Sequence, residues 1–362
     1  MLKKLVLENW KSFRYAELPI DPLTVLIGTN ASGKSNVIDA LDFLQRAVVG
    51  KDLRSALSGE ATLPSIRGGV EWAARKSKES FQLEALFQRE CQRDAHYKIE
   101  VQTIPIVQLN YEFLSLDSEH LLFETNLAET ESPGLKIKSD YFNDKEGFRR
   151  TNSILSYIGN LYNLDAILHQ GVNEITQSLE NIFILNPIPT KMRDYSPLSD
   201  KLETDASNIA GVIAALSDEQ KAEFESSVST YIKDLPERDI QRVWAESVGR
   251  FRTDAMLYCQ EQWKPGENIE IDARGMSDGT LRFLAILTAL LTRPEGSQLV
   301  IEEVDNGLHP SRADLLLTML KEIGEQRKID VLVTTHNPAL LDALDPEMIP
   351  FVVVVHRDSE TG

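Results

Sequence analysis

Residues 28–35, Gly-Thr-Asn-Ala-Ser-Gly-Lys-Ser, constrain this chain more than any other short segment. Residues 23–28 before them read as a strand bounded by Pro22. From residue 34 to 49 the apolar side chains Val37, Ile38, Leu41, Leu44 and Val48 recur at helical spacing. Strand, glycine turn and amphipathic helix in that order make a phosphate-binding loop. Its glycines let backbone N–H groups converge on phosphate oxygens without a Cβ in the way, and the positive end of the helix favours negative charge. The expected nucleotide-binding residues of this segment are Asn30, Ala31, Ser32, Gly33, Lys34, Ser35 and Asn36. Lys34 is placed to reach the β- and γ-phosphates and the Ser35 hydroxyl to ligate Mg²⁺.

Three downstream segments bear on the same chemistry. The apolar run Leu299-Val300-Ile301 ends in Glu302 and Glu303, and such strands deliver side chains to the crevice where α/β sheets bind ligands. Glu302 suits Mg²⁺, through water, and Glu303 suits orienting or deprotonating an attacking water. Ser277, Asp278 and Gly279 open an amphipathic helix, where a hydroxyl and free N–H groups offer a second anion-binding end. Thr334-Thr335-His336-Asn337 closes a strand that aims His336 towards the same sheet edge.

The rest of the chain sets the frame. At 362 residues it exceeds one ordinary core, so one elaborated domain or two are expected. A hydrophobic fraction of 42% with 26% charged residues excludes collagenous, disordered and disulfide-scaffold chains. The formal net charge of −18 repels polyphosphate and argues against a dedicated nucleic-acid module. Arg67, Arg75, Lys76 and Lys78, and the pair Arg149 and Arg150, accordingly read as solvated surface. Cys91 and Cys259 read as reduced thiols. The longest apolar stretch, residues 283–291, is too short to span a bilayer, and no signal-peptide core forms at the N-terminus. A cytoplasmic protein without a membrane partner is expected.

Residues 80–88 and 97–116 alternate as antiparallel strands, and 117–150 are polar without clear period. A long helical pattern covers 154–183, with shorter ones at 205–216, 217–233 and 237–250. Strands and helices then alternate to residue 355, which predicts a mostly parallel sheet covered on both faces. The expected division is 1–116 for the first half of an ATPase core, 117–254 for an inserted, mainly helical subdomain, and 255–362 for the second half.

The order of these motifs resembles the ATP-binding-cassette head class of ATPases. Within it the sequence is most similar to the RecF, SMC and overcoming-lysogenization-defect branch, and to small AAA-type ATP-binding proteins of bacterial defence operons. Leu7-Glu8-Asn9-Trp10-Lys11-Ser12-Phe13, and Asn36 after the loop, share in the likeness. The resemblance implies an α/β fold: an ABC/RecA-like P-loop NTPase core with an antiparallel β subdomain and an inserted helical subdomain. It implies ATP and Mg²⁺, a head-to-tail homodimer, and Ser277, Asp278 and Gly279 as the signature that completes the partner copy's site. His336 takes the position of the histidine that senses the γ-phosphate. Leu308-His309 match a loop crossing the dimer interface, and Lys11 a basic residue near the nucleotide. Glu302 replaces the usual aspartate and Val304 the usual proline, which points to slow hydrolysis. Neither Gln88 nor Gln108 stands out as a glutamine loop, and no adenine-stacking aromatic is assigned. The chain ends soon after Val355, so any nuclease is expected to be a separate effector protein, in anti-phage defence. The alternatives are a RecF-like DNA-repair ATPase and an ATP-locked scaffold with incidental hydrolysis. A GTPase is disfavoured because no Asn-Lys-x-Asp motif exists.

Overall fold

The structure is a computed structural model that describes residues 1–89, 94–117, 120–127, 134–143, 145–161, 165–233, 240–264, 266–307 and 312–358. Cys91, Leu308 and His309 lie outside the described residues. The chain forms two compact units: Met1–Asp21, Gly28–Ile182 and Val353–Gly362 make the first, and Pro22–Ile27 with Phe183–Val352 the second. Strands β1 (Leu2–Glu8), β2 (Tyr15–Pro19) and β3 (Leu23–Ile27) open the chain, the first two in the first unit and β3 in the second.

In the first unit, α1 (Lys34–Val48) and α2 (Leu53–Ser58) precede β4 (Ser80–Phe87), β5 (Ala95–Gln102), β6 (Gln108–Leu116), β7 (His120–Leu127), β8 (Leu135–Lys138) and β9 (Lys145–Phe148). These strands form an eight-stranded sheet in the order β2-β1-β4-β5-β6-β7-β8-β9, antiparallel at every pair. Strict alternation explains it: Phe81, Leu83, Ala85 and Phe87 of β4 and Ala95, Tyr97, Ile99 and Val101 of β5 are buried, and their neighbours are not. Trp10, Phe43 and Phe81 make the aromatic centre beneath α1, with ring centroids 4.7 Å apart for Trp10–Phe81 and 5.3 Å for Phe43–Phe81. The Trp10 indole N–H donates to the Asn36 carbonyl at 2.7 Å, tying the first turn of α1 to this centre.

Strands β7, β8 and β9 continue that sheet, where the inserted subdomain is expected from 117. The alternation there is short and diluted by polar residues, and pairing with β6 supplies the order that local pattern does not. The expected single helix over 154–183 is two, α3 (Ile154–Gly159) and α4 (Ala166–Glu180), followed by β10 (Ile182–Leu185). Glu112 fixes where α3 starts. Its carboxylate is fully buried and accepts from Tyr97 Oη (2.8 Å), Ser153 Oγ (2.6 Å), Ile154 N (2.5 Å) and Leu155 N (3.1 Å). Glu112→Ala strands all these donors in an apolar interior. It is expected to lower the unfolding free energy by about 3 kcal/mol or more, read from urea denaturation.

The second unit contains β11 (Ser196–Pro197), α5 (Ile209–Ala215), α6 (Asp218–Lys233), β12 (Ile240–Val248), β13 (Asp254–Lys264), β14 (Glu267–Asp272), α7 (Asp278–Thr292) and β15 (Gln298–Ile301). After these come α8 (Ala313–Arg327), β16 (Asp330–Thr335), α9 (Pro338–Asp342) and β17 (Val352–Val354). A five-stranded sheet runs β10-β15-β16-β3-β17, and β15, β16 and β3 pair in parallel. Every residue of β15 and β16 is buried, the signature of strands covered on both faces. Leu284 and Leu287 of α7 and Leu316 and Leu320 of α8 share their core with Leu299 and Val331.

A further sheet is antiparallel, with β13 between β12 and the strands β11 and β14. The parallel portion is therefore smaller than expected. Within the helical pattern expected at 237–250, Ile240–Val248 form β12. Ile240, Val243, Trp244 and Val248 mimic helical spacing, but registered pairs such as Val243↔Cys259 and Ala245↔Leu257 place them in a ladder. Tertiary pairing overrides the local period. Among the described residues no helix is long and apolar enough to cross a membrane.

Candidate nucleotide site

The phosphate loop leaves β3 at Ile27 and enters α1 at Lys34. Gly28 has no room for a side chain: a Cβ there would lie 2.1 Å from the Val355 carbonyl oxygen and 2.6 Å from Ser32 Oγ. Gly33 is left-handed (φ 113°), and its added Cβ would meet Phe13 and Ser12 at 3.1 Å. Ala31 is left-handed too (φ 65°), without a glycine's freedom. Lys34 is buried, and its ammonium donates to the carbonyls of Gly28 (2.6 Å) and Thr29 (3.0 Å), inside the curl of the loop. Ser32 Oγ is buried with no protein hydrogen-bond partner. A loop that curls its backbone around a cation and holds a spare hydroxyl has the chemistry to receive an anion.

Asn36, at the start of α1, has its side chain engaged within the protein. Its side-chain amide donates to Ser12 Oγ at 2.8 Å, so it fastens the Asn9–Phe13 turn to α1. Lys11, also left-handed (φ 49°), pairs through its ammonium with the Asp39 carboxylate and donates to the Arg67 carbonyl at 2.6 Å. Arg67 Nε closes on the same carboxylate at 3.1 Å. Burial pulls the Lys11 pKa below its usual range, against the opposing pull of Asp39.

Sequence reading missed this ion cluster, although Arg67 is exposed, as expected, while it pairs with Asp39. The available signal was Asp39 itself, a carboxylate among Val37, Ile38, Ala40 and Leu41 on a buried helix face. Arg150 is also occupied, donating to the Leu109 carbonyl and Asn110 Oδ1, both at 2.7 Å.

In the second unit, Glu302 and Glu303 follow β15 and His336 follows β16. Ile301 pairs with Val333, and Thr335 with Ile27, so three parallel strands end at one sheet edge. The phosphate loop begins one residue beyond Ile27 by chain continuity. Glu303 adopts φ 49°, a conformation that costs a non-glycine residue about 1–2 kcal/mol. Its N–H donates to Thr334 Oγ1 at 2.9 Å, and the next N–H, of Val304, donates to the Thr334 carbonyl at 3.0 Å. A proline at 304 would lack that second donor, which gives the valine a physical reason. The Glu303 carboxylate lies 3.9 Å from His336 Nδ1 and accepts weakly from Asn306 Nδ2 at 3.4 Å.

Ser277 caps α7, its Oγ accepting the Thr280 N–H at 3.1 Å, and one free N–H of the helix end is thereby used. Ser277 and Asp278 are exposed, while Met276 and Gly279 are buried. Arg193 Nη2 holds this turn from outside the helix, donating to the Met276 carbonyl (2.9 Å) and Asp278 Oδ1 (2.7 Å). Among the described residues no group of three or more His, Cys, Asp or Glu is arranged to hold a metal ion. Mg²⁺ bound with a nucleotide does not need one, because phosphate and water oxygens fill most of its octahedron.

The model of one protein family, described as "AAA domain, putative AbiEii toxin, Type IV TA system", matches residues 23–342. The chain belongs to that family. No curated protein matches the sequence. Among solved structures, this AAA-family chain is similar to an SMC head bound to the C-terminal winged-helix domain of ScpA, at 14% identity and a TM-score of 0.56, over 99% of this chain and 95% of that one. An SMC head from Thermotoga maritima matches at 16% identity and a TM-score of 0.46, over 95% and 92%. An SMC head with an extended coiled coil, bound to the C-terminal domain of ScpA derived from Pyrococcus furiosus, matches at 12% and 0.49, over 99% and 94%. The fold is that of an SMC head, as the resemblance implied.

Proposed function

We propose that this AAA-family chain binds ATP with Mg²⁺ at Asn30, Ala31, Ser32, Gly33, Lys34 and Ser35, hydrolyses it in a head-to-tail homodimer, and thereby controls a separate effector in anti-phage defence. The observation that carries the nucleotide part is the buried Lys34 ammonium inside a loop whose glycines admit no side chain. Ser35 and Glu302 are hard oxygen donors of the kind Mg²⁺ takes, and the ion would neutralise charge on the phosphates. Glu303 orients or deprotonates the attacking water, and His336, beside it, senses the γ-phosphate. The exposure of Ser277 and Asp278 supports their meeting a second copy. The SMC head of one similar structure is bound by a separate protein, which supports action through a partner. Arg150 spends its Nε and Nη2 donors on Leu109 and Asn110, so a DNA-gripping reading gains little from it.

Ser277→Arg tests the composite site. The bulky cation is expected to leave ATP binding by the monomer within about twofold, because the residue sits outside the phosphate loop, and to cut hydrolysis by roughly a hundredfold. Full turnover in that variant would mean that the site needs no second copy.

A further inference from the structure

We propose that Thr334 is a positioning residue for Glu303, acting through the peptide N–H that joins Glu303 to β15. The inference rests on the reading of Glu303 as the water-activating group and names what holds it in place. Glu303 leaves its strand in a left-handed turn that crowds its Cβ, and nothing in a glutamate favours that turn. Two hydrogen bonds from the neighbouring strand stabilise it, and both end on Thr334. The carbonyl bond is open to any residue. The hydroxyl bond is open only to threonine or serine.

The position makes that hydroxyl conspicuous. Thr334 follows Val331, Leu332 and Val333 in the centre of a parallel sheet and is 1% exposed, where an apolar residue is the norm. The adjacent Thr335 works in parallel: its Oγ1 accepts the Asn337 N–H at 3.0 Å and so fixes the turn that carries His336. Two consecutive threonines thus hold the backbones on either side of the Glu303–His336 pair. The first sets the carboxylate and the second sets the imidazole.

Thr334→Val keeps shape and burial and removes the hydroxyl, donor and acceptor together. Steady-state hydrolysis and calorimetric ATP binding are measured on the full chain for the wild type, T334V, T334S, E303Q and the E303Q/T334V double variant. T334V is expected to lose roughly ten- to a hundredfold in kcat, the scale of a small misplacement of a reacting group, with ATP affinity within about twofold. T334S regains turnover to within about threefold, and T334V adds no further loss to E303Q. Wild-type kcat in T334V beside an impaired E303Q would remove Thr334 from this role and leave Glu303 in its own. T334S as slow as T334V would also overturn it, since packing rather than the hydroxyl would then matter. An E303Q that turns over at the wild-type rate would instead remove the base assignment, and the inference with it.

Discussion

Lys34→Ala is expected to raise the dissociation constant for ATP by about two orders of magnitude or more. A charge-assisted hydrogen bond to a phosphate contributes roughly 1.5–3 kcal/mol, and Lys34 is buried, where screening by water is weakest. The substitution acts a second time through the loop. Without the ammonium, the carbonyls of Gly28 and Thr29 lose the donor they share, and the curl that aims the N–H groups inward loses its centre. Titration calorimetry of the full chain with ATP–Mg²⁺ reads the effect directly. Undiminished affinity would place the triphosphate somewhere other than this loop.

Glu303→Gln is expected to bind ATP as the parent does and to lose hydrolysis by a factor on the order of 10² to 10⁴, the usual contribution of a positioned general base. Glutamine matches glutamate in shape and keeps the backbone N–H on Thr334, so the left-handed turn survives and the loss reports on the carboxylate's chemistry. His336 and Asn306 stay in place beside the new amide. Phosphate release under saturating ATP, set against a binding isotherm for the same preparation, separates the two effects. Turnover at the parent rate would take Glu303 out of the base role.

The parts that sequence displays well are those governed by short-range rules. Strand β3, the glycine turn and α1 follow from Pro22, Gly28, Gly33 and a helical apolar period, and the strands carrying Glu303 and His336 follow from apolar runs that end in polar residues. Of the eight-stranded sheet, the alternation over 80–88 and 97–116 displays β4, β5 and β6. Beyond them, β7, β8 and β9 owe their existence to partners across the ladder, and the local pattern is too brief to announce them. Strand β12 shows the opposite failure, a helical period whose residues are claimed by β13.

Around the candidate site, residue types were legible and their supports were not. The sequence marks Lys34 and Glu303. It does not show that Asp39 gathers Lys11 and Arg67 beside α1, nor that Thr334 reaches across to Glu303. Those contacts join residues 28 or more positions apart, and only the folded backbone brings them within hydrogen-bond reach.

The central claim is that ATP gathers two copies of this chain, each lending the other its Ser277 turn. Sedimentation velocity of the Glu303→Gln chain, with and without ATP–Mg²⁺, tests it most directly. The expected result is a monomer alone and a dimer when nucleotide is present, with the Ser277→Arg change returning the monomer. A sedimentation coefficient that ATP leaves unchanged, in a preparation shown to have bound it, would contradict the account.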